Sequence, residues 1–292
     1  MLGRAMVLLG SAWALYRPGT AEPEILDLGL TEAEVEDILA NCPEDAPEWY
    51  FIPMLQESDT DVSRYPLEVR RQLSKLGSYI FGPSTIYSEK CPLYVHEENA
   101  TQRHHENMKD LMEMRFGWLL QRVEAQLARA VAPEPIEWMS YPYLKMHRGD
   151  CLDDLPQQFR KLALQVAPPH RDMQYTIYLE NKQQDAQTLT FTLPIKVPSG
   201  GAGLRMFEAW MDKKIQRLVG QKGNVLPVGK NSNAYVSQLP FQDVEYLPGR
   251  MLLFSGDQMH AVSPYKNPVS SDRRIVLQGH GILLNGTWKL FG

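Results

Sequence analysis

The segment Pro248-Gly-Arg-Met-Leu-Leu-Phe-Ser-Gly-Asp-Gln-Met-His260 decides how the second half of the chain is read. Pro248-Gly249 is a turn signal. The apolar run that follows is short enough for a buried strand. Ser255-Gly256-Asp257 marks a second turn, and a histidine comes directly after it. The same grammar recurs on both sides: short apolar runs at residues 141–146, 175–179, 189–193, 204–207, 251–254 and 274–277, separated by Pro, Gly and Asn. Strands of this length with turns between them predict a sandwich or barrel, with His260 delivered to its mouth.

A second histidine stands in a related context. His170 and Asp172 lie in Pro168-Pro-His-Arg-Asp172, just before the strand-like run at residues 175–179. In a strand, residues two apart point to the same face. An imidazole and a carboxylate can therefore approach one metal ion from a single strand. With His260 from another strand they make two histidines and one carboxylate, the facial arrangement that leaves positions open on an octahedral iron(II). His-x-Asp alone occurs by chance in many chains, so the weight falls on the combination. Gln174, Thr176 and Tyr178 alternate onto the same face. They are candidate contacts to a cosubstrate or substrate, with plain barrel lining as the equal alternative.

From about Trp138 onward the chain resembles the 2-oxoglutarate- and Fe(II)-dependent oxygenases, in the branch that looks like prolyl hydroxylases. Four pieces occur in that family's order: His170-x-Asp172, Gly200-Gly-Ala-Gly-Leu-Arg205, Pro248 to His260, and Arg274-Ile-Val-Leu277. The resemblance implies a double-stranded β-helix (jelly roll), Fe(II) held by His170, Asp172 and His260, and 2-oxoglutarate and O2 as cosubstrates. It also implies oxidation of a bound C–H group, by default hydroxylation, with release of succinate and CO2. Family members carry an Arg or Lys ten to fourteen residues after the second histidine. Arg274 follows His260 by fourteen residues and Arg273 by thirteen. A guanidinium suits the far carboxylate of 2-oxoglutarate because it binds carboxylate in bidentate fashion. Arg274 directly begins the apolar run. If it points inward, Val276, Gln278 and His280 share its face and Arg273 faces solvent.

The sequence departs from the family pattern in places. The usual Tyr-x-x-Gly segment before His-x-Asp has only His147-Arg-Gly149 in a similar position, which puts the tyrosine contact to the cosubstrate in doubt. Ninety residues separate His170 from His260, leaving room for an insertion. Asp172 keeps the carboxylate that related halogenases lack, which disfavours halogenation. His147, Tyr178, Gln278 and His280 are candidates to touch substrate or support the metal ligands. For each histidine a hydrogen-bonded structural role is the commoner one. His104-His105 diverge around a helix and make a poor second metal site.

Ahead of Pro133-Glu-Pro135 the patterns are mostly helical. Thr31 and Glu34 form a capping-box signature. Pro66 can open a second helix. From about Asn99 to Ala132, Met108, Leu111, Met112, Phe116, Leu119, Leu120, Val123 and Leu127 recur at helical spacing. The expectation is a largely helical N-terminal region, residues 1–135, buttressing a catalytic core of residues 136–292. Short helices are expected at residues 157–166 and 208–219, and a long Gly-, Asn- and Ser-rich loop at 220–238, where a lid would sit. The apolar stretch after Arg4 is too short to span a bilayer and reads as a buried strand, with a signal segment as the alternative.

Composition narrows the partners. A formal net charge of −5 without a basic tract weighs against nucleic acid. Three widely spaced cysteines, Cys42, Cys91 and Cys151, contain no CxxC pair and suit free thiols in a reducing cytosol. The reading is a cytoplasmic enzyme without a membrane partner, acting on a small molecule such as an amino acid derivative or an intermediate of natural product biosynthesis. Two alternatives remain open. One is a jelly-roll isomerase or hydrolase that uses a metal without 2-oxoglutarate. The other is a non-catalytic jelly-roll binding protein.

Overall fold

The computed structural model describes residues 23–53, 66–73, 77–83, 98–149, 170, 172, 187–207, 239–263 and 269–292. The expected elements at residues 5–15, 157–166, 175–179, 208–219 and 220–238 lie outside them. So do Gln174, Thr176 and Tyr178. The described residues form twelve strands and three helices.

The principal sheet is built around β11 (Arg273–Leu284), a strand of 12 residues. One edge of β11 pairs with β6 (Thr188–Lys196). The other edge is shared by β5 (Tyr143–Arg148) and, further along, β12 (Thr287–Phe291). The sheet continues from β6 through β9 (Arg250–Phe254) to β1 (Glu24–Asp27), and from β5 through β3 (Gly77–Phe81) to β2 (Tyr50–Pro53). All these pairings are antiparallel; β4 (Ile136–Trp138) pairs parallel with β12. A second, three-stranded sheet has the order β10 (His260–Val262), β7 (Gly203–Phe207), β8 (Phe241–Glu245).

The alternation along β11 sorts two cores. Ile275 and Leu277 point one way, into a large cluster with Met251, Leu253, Phe191 and Leu144. That cluster includes the buried stripe Met108, Met112, Phe116, Leu119, Val123 and Leu127 of helix α3 (Glu98–Ala130). Val276 points the other way, into a smaller cluster with Leu204 and Met206 from the second sheet and Leu252 and Phe254 from β9. The second sheet thus faces the inner side of the principal sheet, while α3 covers its outer side. Gly279 permits this packing. The Phe191 ring lies against it so closely that a Cβ would come within 2.4 Å of the ring.

Among the described residues before Ile136, helices and short strands occur together. Besides α1 (Glu32–Asn41), α2 (Leu67–Leu73) and α3, these residues supply β1, β2 and β3 to the principal sheet. These strands have four or five residues each, too few to declare a period of two. Their pairing is long-range, with Glu24 opposite Leu253 and Tyr79 opposite Met146. Helix α3 has a break at Phe116 (φ −129°, ψ 15°). No helix among the described residues is long and apolar enough to cross a membrane.

The capping box of α1 is formed. The Thr31 hydroxyl accepts from the Glu34 amide, and the Glu34 carboxylate accepts from the Thr31 amide. Glu34 also accepts from Arg122 of α3 at 2.7 Å, which ties the two helices together. The Arg122 hydrogen bond, with the one from the Thr31 backbone, brings the Glu34 carboxyl down from 4.5 to about 2. Because folding favours the charged form, this contribution to stability is complete above about pH 4.5 and is lost as pH falls toward 2. Glu34→Gln should flatten that part of the acid-denaturation curve, read by circular dichroism, while changing little at pH 7 beyond the loss of the ion pair.

Candidate metal centre

His170 and His260 sit opposite each other in a small antiparallel bridge. The His170 amide donates to the His260 carbonyl at 2.9 Å, and the His260 amide donates back at 2.8 Å. Directly paired residues project to the same side of a sheet. That places the two rings 4.4 Å apart between centroids. Asp172 is two residues along, and its amide donates to the Gly256 carbonyl, which keeps it in line with the turn before His260. Its carboxylate comes to 3.8 Å from His170 Nε2 and 3.5 Å from His260 Nε2. One ligand atom from each residue lies within 4.8 Å of the others.

The surroundings hold these atoms ready. His260 Nδ1 is 2.9 Å from the Gln258 carbonyl, which can only accept, so the proton sits on Nδ1 and the Nε2 lone pair faces the cluster. The Thr190 hydroxyl donates to Asp172 Oδ2 at 2.7 Å. Its single proton is used there, so at 3.2 Å the His280 Nδ1–H must be the donor to Thr190. The Phe254 ring meets His260 edge-on at 4.8 Å and closes the apolar side. Burial alone would raise the pKa of Asp172. The histidines at 260, 280 and 170 and the Thr190 hydrogen bond outweigh it and hold the carboxyl well below the usual range. Burial depresses His280, with Asp172 opposing, so its ring is neutral and Nε2 is a bare acceptor.

Two imidazole nitrogens and one carboxylate oxygen within 4.8 Å of one another, almost entirely buried at Asp172 and His260, fit a divalent transition metal such as iron(II). Thr190 supports the carboxylate ligand from behind. Thr190→Val preserves shape and removes the hydrogen bond, so metal affinity should fall about 10–100-fold in a fluorescence or calorimetric titration, with folding retained.

Arg274 lies on the inner face of β11, as do Val276, Gln278 and His280. It is 4% exposed. Its Nη2 donates to the Tyr246 hydroxyl at 3.2 Å and its guanidinium stands 5.0 Å from the Tyr246 ring centre. No carboxylate among the described residues pairs with it, and its Nε is buried without a partner. Arg273 points the other way and is not the solvated charge its position suggests. It donates to Glu44 at 2.6 Å and to the Ser270 and Asp272 carbonyls. His147 is the register partner of Arg274 on β5, and Gln278 is half-buried between Tyr143 and Thr192. The structure thus gathers His170, Asp172, His260 and His280 at one end of the inner face. Arg274 and His147 stand at the other.

Thr190, Tyr246 and Gln258 are members of this site that sequence reasoning passed over. Thr190 had a signal. In Thr188-Leu-Thr-Phe-Thr192 the hydroxyls alternate with apolar residues, marking a strand with one polar, inward face. Tyr246 lies between strands and had none.

Fold and site together define a mainly β protein of two facing, mostly antiparallel sheets that carries a two-histidine, one-carboxylate cluster able to hold a metal ion. No protein-family model matches the chain. No curated protein matches it either. Solved structures do. An N-substituted L-amino acid dioxygenase of Burkholderia ambifaria in complex with α-ketoglutarate is 10% identical, with a TM-score of 0.41 over 77% of this chain and 90% of that one. A Pseudomonas putida prolyl-4-hydroxylase is 13% identical, with a TM-score of 0.35 over 88% and 90%. The α-ketoglutarate-dependent epimerase SnoN from nogalamycin biosynthesis is 12% identical, with a TM-score of 0.35 over 86% and 83%. At such distances the functional reading rests on the site's own residues.

Proposed function

We propose that the protein is a 2-oxoglutarate-dependent non-haem iron dioxygenase on a double-stranded β-helix, and that it hydroxylates a C–H bond of a small molecule. The observation that carries this reading is the pairing, on one inner face, of the His170–Asp172–His260 cluster with the buried guanidinium of Arg274. A metal site for isomerisation or hydrolysis has no use for a buried cation without a carboxylate partner. A site for a dicarboxylate cosubstrate needs one.

Each group has a task that its position suits. His170, Asp172 and His260 would hold Fe(II) from one side and leave the other side to cosubstrate and oxygen. When bound, the iron with 2-oxoglutarate and O2 supplies the oxidising chemistry, the cosubstrate leaving as succinate and CO2. Arg274 would anchor the far carboxylate, and the Tyr246 hydroxyl, already hydrogen-bonded to it, orients the guanidinium. Thr190 and the Gln258 carbonyl fix the orientation of Asp172 and His260. Leu204, Met206, Leu252, Phe254 and Val276 form the apolar wall that excludes water from between them.

The substrate is proposed to be an amino acid derivative or a natural-product intermediate. The test is oxygen-dependent conversion of 2-oxoglutarate to succinate, followed by NMR with Fe(II) and ascorbate, alone and with a panel of such compounds. The reading requires succinate formation that depends on iron and is accelerated by at least one compound class. Metal-dependent turnover of a panel compound with 2-oxoglutarate left intact would contradict it.

A further inference from the structure

We propose that His147 is a second binding residue for the far carboxylate of the cosubstrate, and that it takes up a proton from solvent on Nε2 when that carboxylate docks beside Arg274. This rests on the 2-oxoglutarate reading above and adds to it a residue and a proton count.

His147 and Arg274 are directly opposed across β5 and β11, so their side chains leave the same face of the sheet. Each residue is 4% exposed. Each also has a buried nitrogen with no hydrogen-bond partner, Nε2 of His147 and Nε of Arg274. Buried polar nitrogens are almost always satisfied. Two that are not, on directly opposed residues of one face, point to a shared acceptor. A carboxylate has two oxygens and suits both.

The other side of the His147 ring determines its protonation. Nδ1 is 3.3 Å from the Gly77 carbonyl and 3.3 Å from the Ser78 hydroxyl, both on β3. A carbonyl can only accept, so Nδ1 carries the proton, and Ser78 can adapt as acceptor. In the neutral ring Nε2 is then a bare lone pair, which repels a carboxylate. Binding the anion through Nε2 therefore requires the imidazolium. The charged and titratable groups facing the ring are Arg274 from β11 and Lys145 on its own strand. Burial, then Arg274, then Lys145 keep His147 neutral before the anion arrives, against a smaller pull from the Gly77 carbonyl. A carboxylate placed against Arg274 cancels that cation and supplies the missing partner, so the balance reverses on binding.

Anaerobic calorimetry of 2-oxoglutarate binding to the Fe(II)-loaded protein, in buffers of different ionisation enthalpy at pH 8, reads the proton count. About one proton taken up per 2-oxoglutarate is expected, with affinity falling about tenfold per pH unit in the alkaline range. His147→Gln can still donate to the Gly77 carbonyl. It should bring the uptake to zero, make the affinity independent of pH and weaken binding about tenfold or more at pH 7. 2-Oxovalerate lacks the far carboxylate and should bind the wild type without proton uptake. Imidazole nitrogen NMR of the wild type reports the same change without any variant, as a shift of the His147 Nε2 resonance on binding. Binding of 2-oxoglutarate with the same proton count in wild type and His147→Gln, or an unshifted resonance, would overturn the proposal while leaving the cosubstrate reading intact. No binding of 2-oxoglutarate at all would remove both.

Discussion

Asp172→Ala is expected to lower Fe(II) affinity by more than about a hundredfold and to abolish turnover. Three features of the site set the size of the effect. The carboxylate is the only anionic member of the cluster, and it is 2% exposed, so water cannot easily substitute for it. Even groups that only support a ligand change affinity by about 10–100-fold, so loss of the ligand itself must exceed that. The alanine also leaves the Thr190 hydroxyl without its carboxylate acceptor. Metal titration monitored by calorimetry, with circular dichroism as the check on folding, reads the outcome. Retained tight Fe(II) binding in a folded Asp172→Ala protein would mean that the cluster is not the metal site.

The second large effect is expected at the other end of the inner face. Arg274→Ala should raise the dissociation constant for 2-oxoglutarate about 30–1,000-fold, since truncating one partner of a buried charge pair costs about 2–4 kcal/mol. Fe(II) affinity should stay within a few fold, because Arg274 stands at the other end of the inner face from His170, Asp172 and His260. Arg274→Lys should recover only part of the loss. A lysine keeps the charge but cannot offer the paired donors of a guanidinium, and it abandons the Tyr246 hydroxyl. The separation of the two phenotypes is informative. Asp172→Ala loses metal and cosubstrate together, whereas Arg274→Ala loses the cosubstrate alone.

Much of this site can be read in the sequence, because its chemistry obeys a period of two. His170 and Asp172 share a face by strand alternation, as do Arg274 and His280, and a histidine after a tight turn is readily seen as a strand-end residue. The capping box of α1 is equally local, since Thr31 and Glu34 need only each other. The partners of these residues are harder to see. The alternating hydroxyls of Thr188 to Thr192 mark the inward face that carries Thr190, but its role arises from its pairing opposite His280 and Phe254, which the alternation does not reveal. His147 is one residue in an alternating strand until the register sets it against Arg274. The strands β1 to β3 are similar. A segment such as Glu24-Ile-Leu-Asp27 has no periodicity of its own and becomes a strand because β9 offers it an open edge. Local chemistry is legible in order along the chain, while anything defined by a partner far away requires the fold.

The most direct test of the central claim is anaerobic titration of the apoprotein with Fe(II) and then 2-oxoglutarate, monitored by visible absorption. Bidentate chelation of the iron by the keto acid gives a weak charge-transfer band that neither component gives alone. The account predicts that the band appears only with both present, is lost in His170→Ala, and in Arg274→Ala needs a far higher 2-oxoglutarate concentration. Tight Fe(II) binding with no band at any 2-oxoglutarate concentration would contradict it.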